Sequence, residues 1–139
     1  MRRIAGLAFL CLALAARTPA QEALCATYEP DEIALEGVLR LTLQPGPPHF
    51  RSVESGDMPE PVWMFTPDHP LCLDGIPGDA WSVAMTGIAV VEVIPRTPLA
   101  AALNGARVRV LGSLARPRVG HPRSVVVLRA VRTEPGTPH

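Results

Sequence analysis

This chain of 139 residues contains no lysine, so all 13 of its basic residues are arginine, a bias of base composition before it is one of mechanism. Aromatic residues are also scarce: three Phe, two Trp and one Tyr, with Phe9 lying in the first twenty residues. The five that remain are mostly needed for a core, which leaves too few stacking platforms for a general single-strand nucleic-acid binder. Only one long apolar run occurs, Ile4 to Ala16. Its length of about 13 residues makes roughly 20 Å of helix, short of a bilayer core of about 30 Å, and so excludes a comfortable membrane span. Metal-ligand spacings are missing as well. His49, His69, His121 and His139 show neither an i, i+4 pair nor a partner Cys-x-x-Cys, so no zinc is expected. Asp74-Gly75-Ile76-Pro77-Gly78-Asp79 has too few oxygen donors for a calcium loop. No serine has a nucleophile context and no carboxylate pair stands out, so catalytic residues and a cofactor are not expected.

The apolar run has a different use. Arg2 and Arg3 precede it, and Thr18-Pro19-Ala20 follows with small residues where a signal peptidase reads. Residues 1–20 are therefore an expected export signal, the mature protein starts near Gln21, and its place is the bacterial periplasm or the medium. Cys11 leaves with the signal. Cys25 and Cys72 remain, and two cysteines in an oxidising compartment most simply pair. Closing a loop of that length contributes roughly 4 kcal/mol in the chain-entropy model. Leu24 and Leu71 precede the two cysteines, where a lipid attachment site needs a small residue.

Three arginines go with the signal and no acid does, leaving a mature net charge of −3, which again disfavours nucleic acid as a partner. The charge is segregated. Gln21 to Glu92 holds 12 carboxylates against Arg40 and Arg51, while Val93 to His139 holds eight arginines against Glu134 alone. The simplest expectation is that the two halves fold against one another and interleave their charges.

The mature length suits one domain. Ile33, Leu35, Leu39, Leu41 and Leu43 alternate with polar residues, with Gly37 in an apolar place, which predicts a long strand with a bulge or close approach at the glycine. Pro45 to Pro61 reads as a long loop, Val62 to Phe65 as a short second strand, and Ile88 to Ile94 as a third strand buried on both faces. Thr97-Pro98 is expected to start a helix of one to two turns over Leu99 to Leu103, stopped by Asn104-Gly105. Arg107 to Leu114 and Ser124 to Val131 give two more strands, on one of which Arg107 and Arg109 face Glu36 or Glu32 of the first. The order strand, strand, strand, helix, strand, strand is that of the OB-fold, a five-stranded Greek-key barrel. The predicted architecture is thus all-β with one short helix, an OB-like domain over 21–132 and a flexible tail over 133–139; a generic β-sandwich is the other candidate.

The chain also resembles the bacterial secreted family known as domain of unknown function 4431. The resemblance rests on Cys25 with Tyr28 and Pro30, Leu35 to Leu39, Pro45 to Phe50 followed by Gly56-Asp57 and Pro59-Glu60, Trp63, Pro70 to Asp74, and Leu103-Asn104-Gly105 with Val108, Val110 and Gly112. It implies no activity. Family members carry Gly-His-His between the last two strands where this chain has Gly120-His121-Pro122-Arg123.

OB-folds bind ligands between the loop after the first strand and the loop between the last two. Here those loops supply His49, Phe50 and Arg51, and Arg116, Arg118, His121 and Arg123, with Trp63 on the strand between. Converged on one cleft, His49, Arg51, Trp63, Arg116, Arg118, His121 and Arg123 would suit an anionic group or an acidic protein loop. Two structural alternatives stand beside this: the arginines pair with Glu54, Asp57 and Glu60, and Trp63 belongs to the core. The expected function is a monomeric, non-catalytic binding module of the cell envelope for an anionic ligand or a protein. The alternative is a small metal-dependent hydrolase using His49, His69 and His121.

Overall fold

The computed structural model describes residues 25–118 and 123–138. The expected signal at 1–20, Cys11, His121 and His139 lie outside the described residues. Seven strands and one 3₁₀ turn follow in order: β1 (Ile33–Pro45), β2 (Pro59–Pro67), β3 (Leu71–Leu73), β4 (Met85–Ile88), β5 (Val91–Pro95), the turn Ala101–Leu103, β6 (Arg107–Ala115) and β7 (Val127–Pro135). Five of them close a barrel in the order β1-β2-β5-β7-β6. Every neighbouring pair is antiparallel except β5 and β7, which run parallel with Val93 beside Leu128. This is the OB strand order, with the β3–β4 pair inserted between the second and third barrel strands.

Closure depends on β1 serving two neighbours. Its first half pairs with β6 and its second with β2, and Gly37 sits at the overlap, opposite both Val108 and Pro67. A Cβ at Gly37 would run into the Thr66 carbonyl oxygen and lie 2.8 Å from Phe65 Cζ, so the bend needs a residue without a side chain. Gly112 repeats the device on β6, where the register against β7 shifts and the backbone of Arg129 passes close by.

The alternation of β1 and its neighbours fills the barrel. Leu39, Phe65, Val91, Val108, Val110, Leu114 and Leu128 are fully buried and form one cluster with Val93, Val126 and Ala130. Tyr28, Leu73 and Ile88 join it from outside the barrel strands. The Cys25–Cys72 disulfide, 4.8 Å between Cα atoms, ties the chain's lead-in to β3. Around it Ala26 donates to Cys72 O at 2.9 Å, Asp74 donates to Ala26 O at 2.9 Å, and Glu29 donates to Leu114 O at 2.8 Å. The lead-in thus bonds to the β3–β4 sheet on one side and to β6 on the other.

Three local expectations are corrected. The run from Ile88 to Ile94 is not one strand buried on both faces: it breaks at Ala89-Val90, and Val90 and Ile94 are exposed. Val91 and Val93 alone point into the barrel, while Ile88 closes the β3–β4 pair at Leu71. The helix shrinks to the turn Ala101–Leu103, and Ala100 rather than Thr97 precedes it, without a side-chain cap. Its exit is committed to the edge of β1 instead: Gly105 donates to Leu39 O at 2.7 Å and Asn104 Oδ1 accepts from Leu41 N at 3.0 Å. Too few residues remain before that anchor to propagate a helix. At the other end β7 runs past Thr133 to Pro135, and the Thr137 hydroxyl donates to Glu36 Oε1 at 2.7 Å.

Gly37→Ala is expected to destabilise the fold by about 1–3 kcal/mol, because Phe65 and the β2 backbone must move aside. Chemical denaturation checks this, and a change below about 0.5 kcal/mol, the scatter of ordinary surface substitutions, contradicts the close approach.

Candidate functional site

The loop between β1 and β2 is organised by one carboxylate. Asp57 is 2% exposed and accepts the backbone N–H groups of His49 at 2.8 Å, Arg51 at 2.7 Å and Ser52 at 3.0 Å. Those donors, Arg51 first and then Ser52, hold its carboxyl down to about 2 against the opposing effect of burial. His49 Nδ1 lies 3.3 Å from the same carboxylate, with the ring largely exposed. Asp57 is therefore the hub of its own loop and not a partner of the facing arginines. The side chains of His49 and Arg51 stand on the solvent side of that loop.

The loop joining β6 to β7 meets it at one described residue. Arg123 bonds the Glu60 carboxylate and lies over the Phe50 ring, 6.0 Å from its centroid. Trp63 does not join them. It is cross-strand neighbour to Leu41 and Val93 in the row next to Leu39, Phe65 and Val91, half-buried and packed against the core. Of the pairings expected for the loop arginines, Glu60 is observed, Asp57 is spoken for by backbone, and Arg118 pairs instead with Glu29.

Arg116 and Arg118 leave in a different direction and line a cleft of about 460 Å³. Its walls are the lead-in at Tyr28 and Glu29, the β3–β4 loop at Ile76, Asp79, Trp81 and Ser82, and the start of the β6–β7 loop. The Tyr28 hydroxyl donates to Val83 O at 2.7 Å, and burial pushes its phenol above the ordinary value. Asp79 Oδ1 accepts from Trp81 N at 2.8 Å, which fixes the backbone of a tryptophan that is 72% exposed. A side-chain bond from Ser82 and that from Trp81 hold the Asp79 carboxyl below its usual range. Arg116 Nη1 donates to Val125 O at 3.0 Å, while its Nε is buried and has no hydrogen-bond partner among the described residues. Arg118 extends its side chain into solvent and, among the described residues, has only a 3.5 Å contact to Glu29, which Arg129 Nε also approaches at 3.4 Å.

The expected site thus divides. Arg116 and Arg118 line the cleft; Arg123 sits with Phe50 and Glu60; His49 and Arg51 belong to the Asp57 loop; Trp63 faces inward; His121 lies outside the described residues. From sequence, Trp81 and Glu29 carry no site role, Tyr28 enters only through the family resemblance, and Asp79 only as a donor in a loop too poor for calcium. The signal available for them was a tryptophan set between Asp79 and Ser82 in a Gly/Pro-rich loop, two residues after a turn-forming aspartate. Among the described residues, no group of three or more His, Cys, Asp or Glu side chains could hold a metal ion. No helix of the described residues is long and apolar enough to cross a membrane. No protein-family model matches the chain, and no curated protein or solved structure matches it either.

Because the Asp57 carboxyl is depressed in the folded state, its contribution to stability is complete above the unfolded value near 4 and is lost as pH falls through about 2. Asp57→Asn is expected to lower the melting temperature by an amount that is greatest above about pH 4 and shrinks toward about pH 2. A difference that stays constant across that window contradicts the role of the three N–H donors.

Proposed function

We propose that this protein is an exported, disulfide-stabilised binding module of the bacterial cell envelope, without catalytic activity of its own, that takes an anionic group of a ligand or a partner protein in the cleft beside the lead-in. The observation that carries the reading is the pairing of Arg116 and Arg118 with an exposed Trp81 in a concavity of ligand size. Arg118 is held by a long contact to a carboxylate that has a second arginine available. A ligand carboxylate can therefore take Arg118 and leave Glu29 with Arg129, so neither side of the exchange strands a charge.

The export reading is supported by the disulfide, which suits an oxidising compartment. The alternative, a metal-dependent hydrolase, draws on His49, whose Nδ1 lies beside the Asp57 carboxylate as an oriented base would. Zinc in stoichiometric amount in untagged protein would favour it.

The test is co-sedimentation of the mature protein with isolated bacterial envelope fragments. The expected result is binding at low salt, release at about 1 M NaCl, and loss of binding in the Arg116→Ala/Arg118→Ala double variant. Binding that neither salt nor the double variant disturbs rules out the cleft, and no binding at low salt rules out the envelope module.

A further inference from the structure

We infer that the cleft recognises a carboxylated sugar, a pyranose ring bearing one carboxylate; this rests on the binding reading above and narrows its ligand. Four observations lead there. Trp81 lines the cleft and is 72% exposed, with its backbone fixed by Asp79, and an exposed indole is a platform for a flat ligand face. The size of the cleft, about 460 Å³, accommodates a small molecule and not a folded loop of a partner.

The charge of the lining sets the charge of the ligand. Arg116 and Arg118 face Glu29 and Asp79, so the cleft is close to neutral and a multiply charged phosphate would meet two carboxylates. A single carboxylate meets only the arginine fork, whose geometry it matches, and replaces Glu29 at Arg118 one for one.

Acceptors for hydroxyl groups complete the set. The Asp79 carboxylate accepts one bond from Trp81 N and two from Ser82, side chain and backbone, and with about four lone-pair sites on a carboxylate roughly one is left for a ligand hydroxyl. An ionised acceptor beside an indole face suits a ring edged with O–H donors; an aromatic acid, which offers no donors, leaves that carboxylate facing its apolar body. Asp79 therefore favours the sugar over a flat aromatic of the same charge.

Calorimetric titration of the mature protein with galacturonate, galactose, phosphate and naphthoate tests this. Galacturonate is expected to bind and the other three to bind at least about tenfold more weakly. Trp81→Ala and Arg118→Ala are each expected to weaken galacturonate by about tenfold or more, while Arg40→Ala, an equal charge change on the exposed side of β1, leaves it unchanged. Trp81 is exposed enough that its variant keeps the fold, which a thermal melt verifies. Preference for phosphate or naphthoate, or galacturonate binding indifferent to Trp81→Ala, overturns the sugar-acid inference while leaving an anion-binding cleft in place. Failure of all four probes overturns it as well, and the envelope co-sedimentation then decides separately whether the binding module stands.

Discussion

The covalent bond between Cys25 and Cys72 fixes the short lead-in between two sheets that otherwise share no edge. Alanine 26 bridges to Leu73 in the small sheet, and Tyr28 bridges to Leu114 in the barrel. With the lead-in in place, Tyr28 is buried within the common core and its hydroxyl reaches across to Val83. Three residues of β3 and four of β4 make too small a sheet to stand alone. Their position on the barrel, and with it the lead-in and β3–β4 walls of the cleft, therefore depends on the tether.

Electrostatics follows the same division of labour. The acid-rich first half and the arginine-rich second half do interleave: Arg107 bonds Asp68 and Glu36, Arg118 and Arg129 share Glu29, and Arg123 takes Glu60. Each of these joins a carboxylate before residue 70 to an arginine after residue 100. Exposed pairs of this kind contribute little one at a time. What distinguishes them here is how completely each arginine is engaged. Arg107 is held by two carboxylates and the Thr137 carbonyl, whereas Arg118 has one long contact among the described residues and a side chain mostly in water. The longest of these pairs, Arg118 with Glu29, lies at the cleft.

The barrel was legible in the sequence because its determinants are local and periodic. Leu39 and Leu41 alternate with polar neighbours, Gly37 interrupts them where β1 bends, and Val108 and Val110 repeat the pattern on β6. What could not be read was anything set by a tertiary choice. Thr97-Pro98 has the chemistry of a helix start, yet the demand of β1's edge for Asn104 and Gly105 leaves only a turn. Val90 and Ile94 have the composition of a buried strand and are exposed, Val90 because the chain divides there between two sheets and Ile94 because it alternates with Val91 and Val93 on the outer face of β5. The site suffered most from this. The loops after β1 and between β6 and β7 meet at Arg123, which lies over Phe50 and bonds Glu60, as the structural alternative to a binding cleft has it. But the concavity belongs to the inserted β3–β4 loop, which the five-strand pattern has no place for, and so Trp81 went unremarked while Trp63, an inward-facing neighbour of Leu41, stood in for it.

The central claim is that the tether builds the cleft while the barrel stands without it. Amide hydrogen exchange on the Cys25→Ser/Cys72→Ser double variant tests it most directly, since exchange reads the stability of each segment separately. The account predicts that Val108, Val110 and Leu128 keep strong protection while Ala26, Leu71 to Asp74 and Ile76 to Ser82 lose theirs. Retained protection across residues 71–82, or collapse of the barrel together with them, would contradict it.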